Sequence, residues 1–271
     1  MDTLISYLGY GFVQNALIAG TMAAILGAVV GYFVVLRNLN FAAHALSHVG
    51  FTGAAAATLF GIDPLQGILL FTVLAALGIG VSGDRLQRSD MAIGMVLSFS
   101  LGLGVLFLHL CNGFATHAKS ILFGVPFGVS GGQIEEMAVL SLLSLSALAV
   151  FSRKLLFASI QPRLAEARGL SLTGLSMAFI VVLAFSVSLA SQIVGILLVF
   201  TLVIAPAGIV LRFCRSFWRG LAMAVGLSLV VVWSGLLLDC LTGYPATFWI
   251  TAIFFVVYLA VEAWCRAVRR E

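Results

Sequence analysis

Residues 12–60 read FVQNALIAGTMAAILGAVVGYFVVLRNLNFAAHALSHVGFTGAAAATLF. Two apolar runs, 12–36 and 40–60, are parted by a three-residue break that holds the one formal charge of the stretch, Arg37. Each run is long enough to cross a bilayer, because a helix rises about 1.5 Å per residue against a hydrocarbon core of about 30 Å. Run length therefore decides the fold, and it predicts a bundle of membrane-spanning helices.

The pattern continues to the far end of the chain. Further apolar runs at 64–82, 91–110, 133–152, 173–190, 193–212, 217–240 and 246–265 bring the expected spans to nine. The pair 173–190 and 193–212 is parted only by Ser191-Gln192, and the expected count is eight or nine. Of 271 residues, 62% are hydrophobic and 9% charged, where a soluble domain carries roughly 25% charged residues. The expected fold is all-α, a polytopic membrane bundle forming a single domain over residues 1–271. The start, Met1-Asp2-Thr3, lacks the basic stretch that precedes a secretory apolar segment, so the first helix is expected to stay.

Lysine and arginine favour the cytoplasmic side of short loops. With the N-terminus outside and the C-terminus inside, Arg37, Arg85, Arg88, Arg153, Lys154, Arg163, Arg168, Arg212, Arg215, Arg219, Arg266, Arg269 and Arg270 all fall inside, and Lys119 alone falls outside. Changing the number of crossings by one scrambles that split. The same scatter argues against nucleic acid as a partner, despite a formal charge of +4, since that role calls for a clustered basic face.

Glycines recur within spans, as at Gly27 and Gly31 and from Gly94 to Gly104. Such spacing lets helix backbones approach closely in lipid. The outer connection from Cys111 to Gly132 is too apolar for a free loop and too broken by Pro126 and glycines for a span, so it is expected to fold back into the outer interface. In the inner connection from Arg153 to Gly174, Pro162 is placed to begin a short helix and Gly169 to end it. Cys111, Cys214, Cys240 and Cys265 show no metal-knuckle spacing and read as packing residues, although Cys111 and Cys240 fall on one side as candidates for a disulfide.

His44 and His48 stand four residues apart in the second run. On a helix that spacing puts both imidazoles on one face, about 5–6 Å apart. Polar side chains are costly inside a bilayer and usually face a cavity, a partner or a pathway. Two readings stand: a transition-metal site, since imidazole suits zinc, iron and copper, or hydrogen bonds between helices. A metal would need further ligands from another helix, from water or from a second subunit. Because a ligand imidazole must be neutral, occupancy on the first reading weakens as pH falls through roughly 6.5. His109, His117, Glu135, Glu136, Asp239 and Glu262 lie near span ends and read as solvated residues.

Several chemistries are excluded. A zinc intramembrane protease needs glutamate after the first histidine in His-Glu-x-x-His, and Ala45 stands there. A di-iron desaturase needs several histidine clusters, and the chain has four histidines in all. No Gly-x-x-x-x-Gly-Lys-Ser/Thr loop is present, so ATP-driven work by that route requires another polypeptide.

Four ordered stretches resemble one family, the membrane permease subunit of bacterial ABC importers for zinc, manganese and iron. They are GYFVVLRNLNFAAHALSHVGFTGAA, SILFGVPFGVS, VGILLVFTLVIAPAGIVL around Pro206, and SGLLLDCLTGYPATFWI. The resemblance implies an inner-membrane, multi-pass subunit of a homodimeric or paired permease. It also implies a cytoplasmic pair of ATP-binding subunits and an extracytoplasmic metal-binding protein as partners, with no resident cofactor. His48 matches the family's metal-contacting histidine, and His44 stands where most members have aspartate. The segment QPRLAEARGLS resembles the family's coupling segment, here about 160–171, so the resemblance gives Pro162, Ala165, Glu166 and Gly169 an ATPase-coupling role; Gln161 replaces the usual acid.

The mechanism expected is alternating access, with His44 and His48 briefly holding a divalent metal. Imidazole in place of carboxylate tilts preference from manganese toward zinc. The alternative is an ATP-independent secondary transporter or channel for divalent cations, against which the scarcity of intramembrane carboxylates and the odd span count weigh.

Overall fold

The computed structural model describes residues 9–81, 90–111, 120–214 and 216–268. Long helices stand at all nine expected positions: α1 (Gly11–Leu36), α2 (Asn40–Phe60), α3 (Pro64–Val81), α4 (Asp90–Leu110), α5 (Gly131–Ile160), α7 (Leu172–Val194), α8 (Ile196–Val210), α9 (Phe217–Thr242) and α10 (Ala246–Val268). A short α6 (Pro162–Ala167) follows α5, and a 3-10 turn occupies Pro126–Gly128. Six of the helices, α1, α4, α5, α7, α9 and α10, are long and apolar enough to cross a membrane by length and composition. The α3 and α8 helices are shorter apolar helices, while α2 is long enough but diluted by Asn40, His44, Ser47, His48 and Thr52.

Contacts sort the helix ends into two sets. At one end Asn15 donates to the Val129 carbonyl at 3.2 Å, and Thr247 donates to Phe123 at 3.0 Å. At the other, Arg37 donates to Ser176 at 2.6 Å, Tyr32 meets Phe217 edge-on at 5.4 Å, and Arg212 pairs with Glu262. Arg37, Arg212 and Arg266 thus share one end with the segment that carries α6. Lys119, Arg85, Arg88, Arg215, Arg269 and Arg270 lie outside the described residues.

α1 and α7 form the centre: 67% and 56% of their apolar windows are buried, against 17% for α4 and 11% for α10. The outer faces of α4, α5, α9 and α10 are apolar and exposed, as at Met91, Phe99, Leu142, Val150, Val230 and Phe255. Those faces suit acyl chains.

Two expectations shift. The α7/α8 break falls at Gly195, with α7 running on through Ser191-Gln192 to Val194. Gly195 has φ +74, and a Cβ there would strike the backbone of Leu122, Phe123 and Gly124. The reason is now plain: the outer segment lies across the start of α8, which leaves α8 only 15 residues long, about 22 Å. The α5 helix also extends past its predicted limit of 152 to Ile160. Charge at Arg153 and Lys154 ends the apolar run without ending the helix, because Leu155 and Ala158 still bury against the bundle. The cysteines are all free. That agrees with their reading as packing residues, and Cys111 donates back to its own helix at Phe107.

Candidate metal site

The helix that carries the histidines is fixed in place by close backbone packing. A Cβ at Gly53 would collide with the backbone of Gly67 on α3, and one at Gly104 on α4 would lie 2.6 Å from the Phe51 ring and 3.2 Å from Thr52 Cα. Thr52 donates to the Ser100 carbonyl at 2.5 Å. Without side chains in the way, α2 seats directly against α3 and α4. At its start a three-residue turn leads in from α1, with Asn38 at φ 56 and the Leu39 amide bonded to Val34 at 3.0 Å. The Arg37 guanidinium is held at Ser176 and over the Phe179 ring at 5.6 Å.

On this support His44 and His48 meet. Their ring centroids are 4.6 Å apart and the planes nearly perpendicular, at 84°. His44 also meets Phe200 of α8 edge-on at 4.7 Å and Phe41 at 6.4 Å. Both Nδ1 atoms are buried and have no hydrogen-bond partner among the described residues. Ser47, between them in sequence, is fully buried and donates to Ala43 at 3.0 Å, so its hydroxyl serves the helix backbone.

Among the described residues, then, neither Nδ1 makes a hydrogen bond to a neighbouring helix. Two bonds of about 2.0–2.1 Å to one ion bring the ligand nitrogens within about 4 Å of each other, a separation that neighbouring rings on one helix face can supply. Among the described residues no cluster of three or more histidine, cysteine or acidic side chains completes the set. Among the described residues the pair stands as two adjacent imidazoles.

The remaining titratable side chains have other duties. His109, Glu135 and Glu136 are exposed at helix ends, and His117 lies outside the described residues. Asp239 is half-buried, not simply solvated: it accepts the Ala246 amide at 3.0 Å and caps α10. Glu262 bridges Arg212 and Arg266, while Arg212 also reaches the Tyr258 hydroxyl at 2.9 Å. Phe200 carried no signal in the sequence, being one more apolar residue in an apolar run.

At the other end, α6 has Pro162 at its first position and closes at Gly169, whose φ is +78. Ala165 is fully buried, whereas Leu164 is 45% exposed and Glu166 is exposed beside it. Ala165 thus seats the short helix on the chain, and its neighbours form the outward surface.

The model of the ABC 3 transport family matches residues 9–264. The chain belongs to that family. It is 32% identical to the probable iron transport system membrane protein of Haemophilus influenzae over 267 residues, covering 96% of this chain and 97% of that one. It is 29% identical to the manganese transport system membrane protein MntC of Listeria innocua over 255 residues, covering 92% and 91%. The structure of PsaBC from Streptococcus pneumoniae in complex with Fab superposes with a TM-score of 0.84 at 26% identity, covering 95% of this chain and 94% of that chain. This ABC 3 permease is accordingly a multi-pass inner-membrane subunit of an ABC transporter, a transport component lacking a Walker loop of its own.

Proposed function

We propose that this permease imports a divalent transition-metal ion, with His44 and His48 as its transient ligands during alternating access. The observation that carries the reading is the pair of buried Nδ1 atoms on adjacent rings, unpartnered among the described residues. A conducting site must bind favourably enough to admit an ion and weakly enough to release it, and two imidazoles without a third strong ligand meet that demand. Relatives named for manganese and iron transport support the class of cargo. The donor atoms add a preference: nitrogen favours zinc and iron over manganese, so zinc is the ion we expect to compete best.

The remaining ligands come from water or from the same pair on a second copy, which suits a homodimer with the path between subunits. The arginine-rich end faces the cytoplasm under the charge rule, and there Leu164 and Glu166 of α6, seated by Ala165 between Pro162 and Gly169, dock on a separate ATP-binding subunit. An extracytoplasmic metal-binding protein delivers the ion to the opposite end.

The test is uptake into proteoliposomes holding the permease, its ATPase and its delivery protein. His44→Ala and His48→Ala are each expected to lower uptake by about tenfold or more, the usual scale for disturbing a metal site. Parent-level uptake in both variants would reduce the pair to packing. Competition between zinc, manganese and iron(II) in the same vesicles ranks the cargo.

A further inference from the structure

Asn40 opens α2 one turn before His44, and its side chain is not doing what asparagine usually does there. At helix starts asparagine caps, accepting a backbone amide. Here Leu39 occupies the cap position with no side-chain cap. The Asn40 Oδ1 is instead buried and without a hydrogen-bond partner among the described residues.

Positions 40, 44 and 48 repeat every four residues, so all three side chains lie along one stripe of the helix. Each carries a polar atom that is buried and, among the described residues, unpartnered: Asn40 Oδ1, His44 Nδ1 and His48 Nδ1, the two ring nitrogens being acceptors in the neutral tautomer that binds a metal. An unsatisfied buried acceptor costs about 1–3 kcal/mol. Three in register on one face are better explained by a cation moving along the stripe than by three separate defects. Arg37, one turn earlier, is held against Ser176 and Phe179 on α7, which anchors its charge in a second contact.

We propose that Asn40 is a third donor of the metal path, a specificity-determining ligand that takes the ion beside His44 at the arginine-rich end of the stripe. This rests on the reading of His44 and His48 as metal ligands. Eight residues at about 1.5 Å each spread the stripe over about 12 Å, too far for one ion to hold its two ends together. The stripe therefore provides two stations, His48 with His44 and then His44 with Asn40. The stations differ in kind. An amide oxygen is a hard donor that suits manganese, whereas the imidazole pair suits zinc and iron. Asn40 thus supplies the oxygen ligand this helix otherwise lacks.

The experiment measures manganese and zinc uptake in the same reconstituted system for Asn40→Ala, Asn40→Asp, His44→Ala and the parent. Asn40→Ala is expected to lower the manganese-to-zinc uptake ratio by about fivefold, and Asn40→Asp, which keeps an oxygen and adds charge, to restore or raise it. A purely structural role would depress both metals equally and leave the ratio unmoved. An unchanged ratio in Asn40→Ala, with uptake abolished in His44→Ala, would overturn the role of Asn40 alone. Full uptake in His44→Ala would overturn the histidine site and this inference with it. Should Asn40→Ala fold poorly, Asn40→Leu, which is close to asparagine in size and carries no donor, gives the same ratio measurement, and a parental ratio there would also refute the assignment.

Discussion

Replacing Gly31 by alanine tests whether the site depends on how closely α1 and α8 approach. A Cβ at Gly31 would lie 2.6 Å from the Val203 carbonyl carbon and 3.2 Å from its Cα. The Val203 carbonyl oxygen is nearer still, and since carbon atoms settle at about 3.5–4.0 Å, the two helices must part by at least about 1 Å. The obstacle is backbone, which cannot rotate aside. Overpacking of this kind costs about 1–3 kcal/mol, and the backbone contact puts Gly31→Ala at the upper end. Gly27, one turn earlier on the same helix, is the internal control. Its Cβ would meet Leu202 Cγ at 3.5 Å and Leu202 O at 3.6 Å, an ordinary contact, and alanine there gains up to about 1 kcal/mol of helix propensity. At about 2–4 °C per kcal/mol for a chain of 150–250 residues, Gly31→Ala is expected to lower the melting temperature of the detergent-solubilised permease by roughly 6–12 °C, and Gly27→Ala to leave it level or raise it slightly. Because Phe200 stands one turn before Val203 and rests on His44, Gly31→Ala should also depress metal uptake. Equal melting temperatures for the two variants would refute the packing argument.

Other perturbations separate the duties of the outer and inner ends. Gly195→Ala adds a side chain at φ +74 and pushes it into the backbone of Leu122–Gly124, so the outer segment should lift from α8; limited proteolysis cutting within residues 120–130 faster than in the parent is the readout. Asp239→Ala removes the cap from the Ala246 amide and should cost about 0.5–2 kcal/mol, seen as a lower melting temperature with unchanged metal preference. Glu262→Gln breaks a pair that is partly exposed, and exposed pairs contribute about 0–1 kcal/mol; its small effect should vanish at high salt.

The sequence made the bundle legible because run length and charge placement are direct readouts of the bilayer. Among the described residues a helix stands at each of the predicted apolar runs, and Pro162 and Gly169 marked the short α6 correctly because both act through their own backbone. The misplaced features depend on tertiary contact. Gly195 carries glycine's local signal for a helix end, but the polar Ser191-Gln192 pair competes with it in sequence, and the segment Leu122–Gly124 lying across Gly195 decides between them. The extension of α5 past Arg153 depends on Leu155 and Ala158 finding the bundle. Asp239 looked solvated because its cap target, Ala246, is seven residues away across a turn. The histidine pair was visible from spacing, but its lack of partners was not, and neither was the contact with Phe200.

The same contacts explain why the fold is easier to read than the cargo. Glycines bring α2 against α3 and α4 through Gly53, Gly67 and Gly104, and bring α1 against α8 through Gly31. Each group is locked by backbone proximity, where any larger residue is penalised sterically. The stripe of Asn40, His44 and His48 lies on the helix of one group and meets the other through a side chain, the Phe200 ring. At such a seam a donor can change from oxygen to nitrogen without disturbing a backbone contact. Steric packing therefore constrains the bundle tightly and the ligands loosely, so metal preference must be argued from the donor atoms themselves.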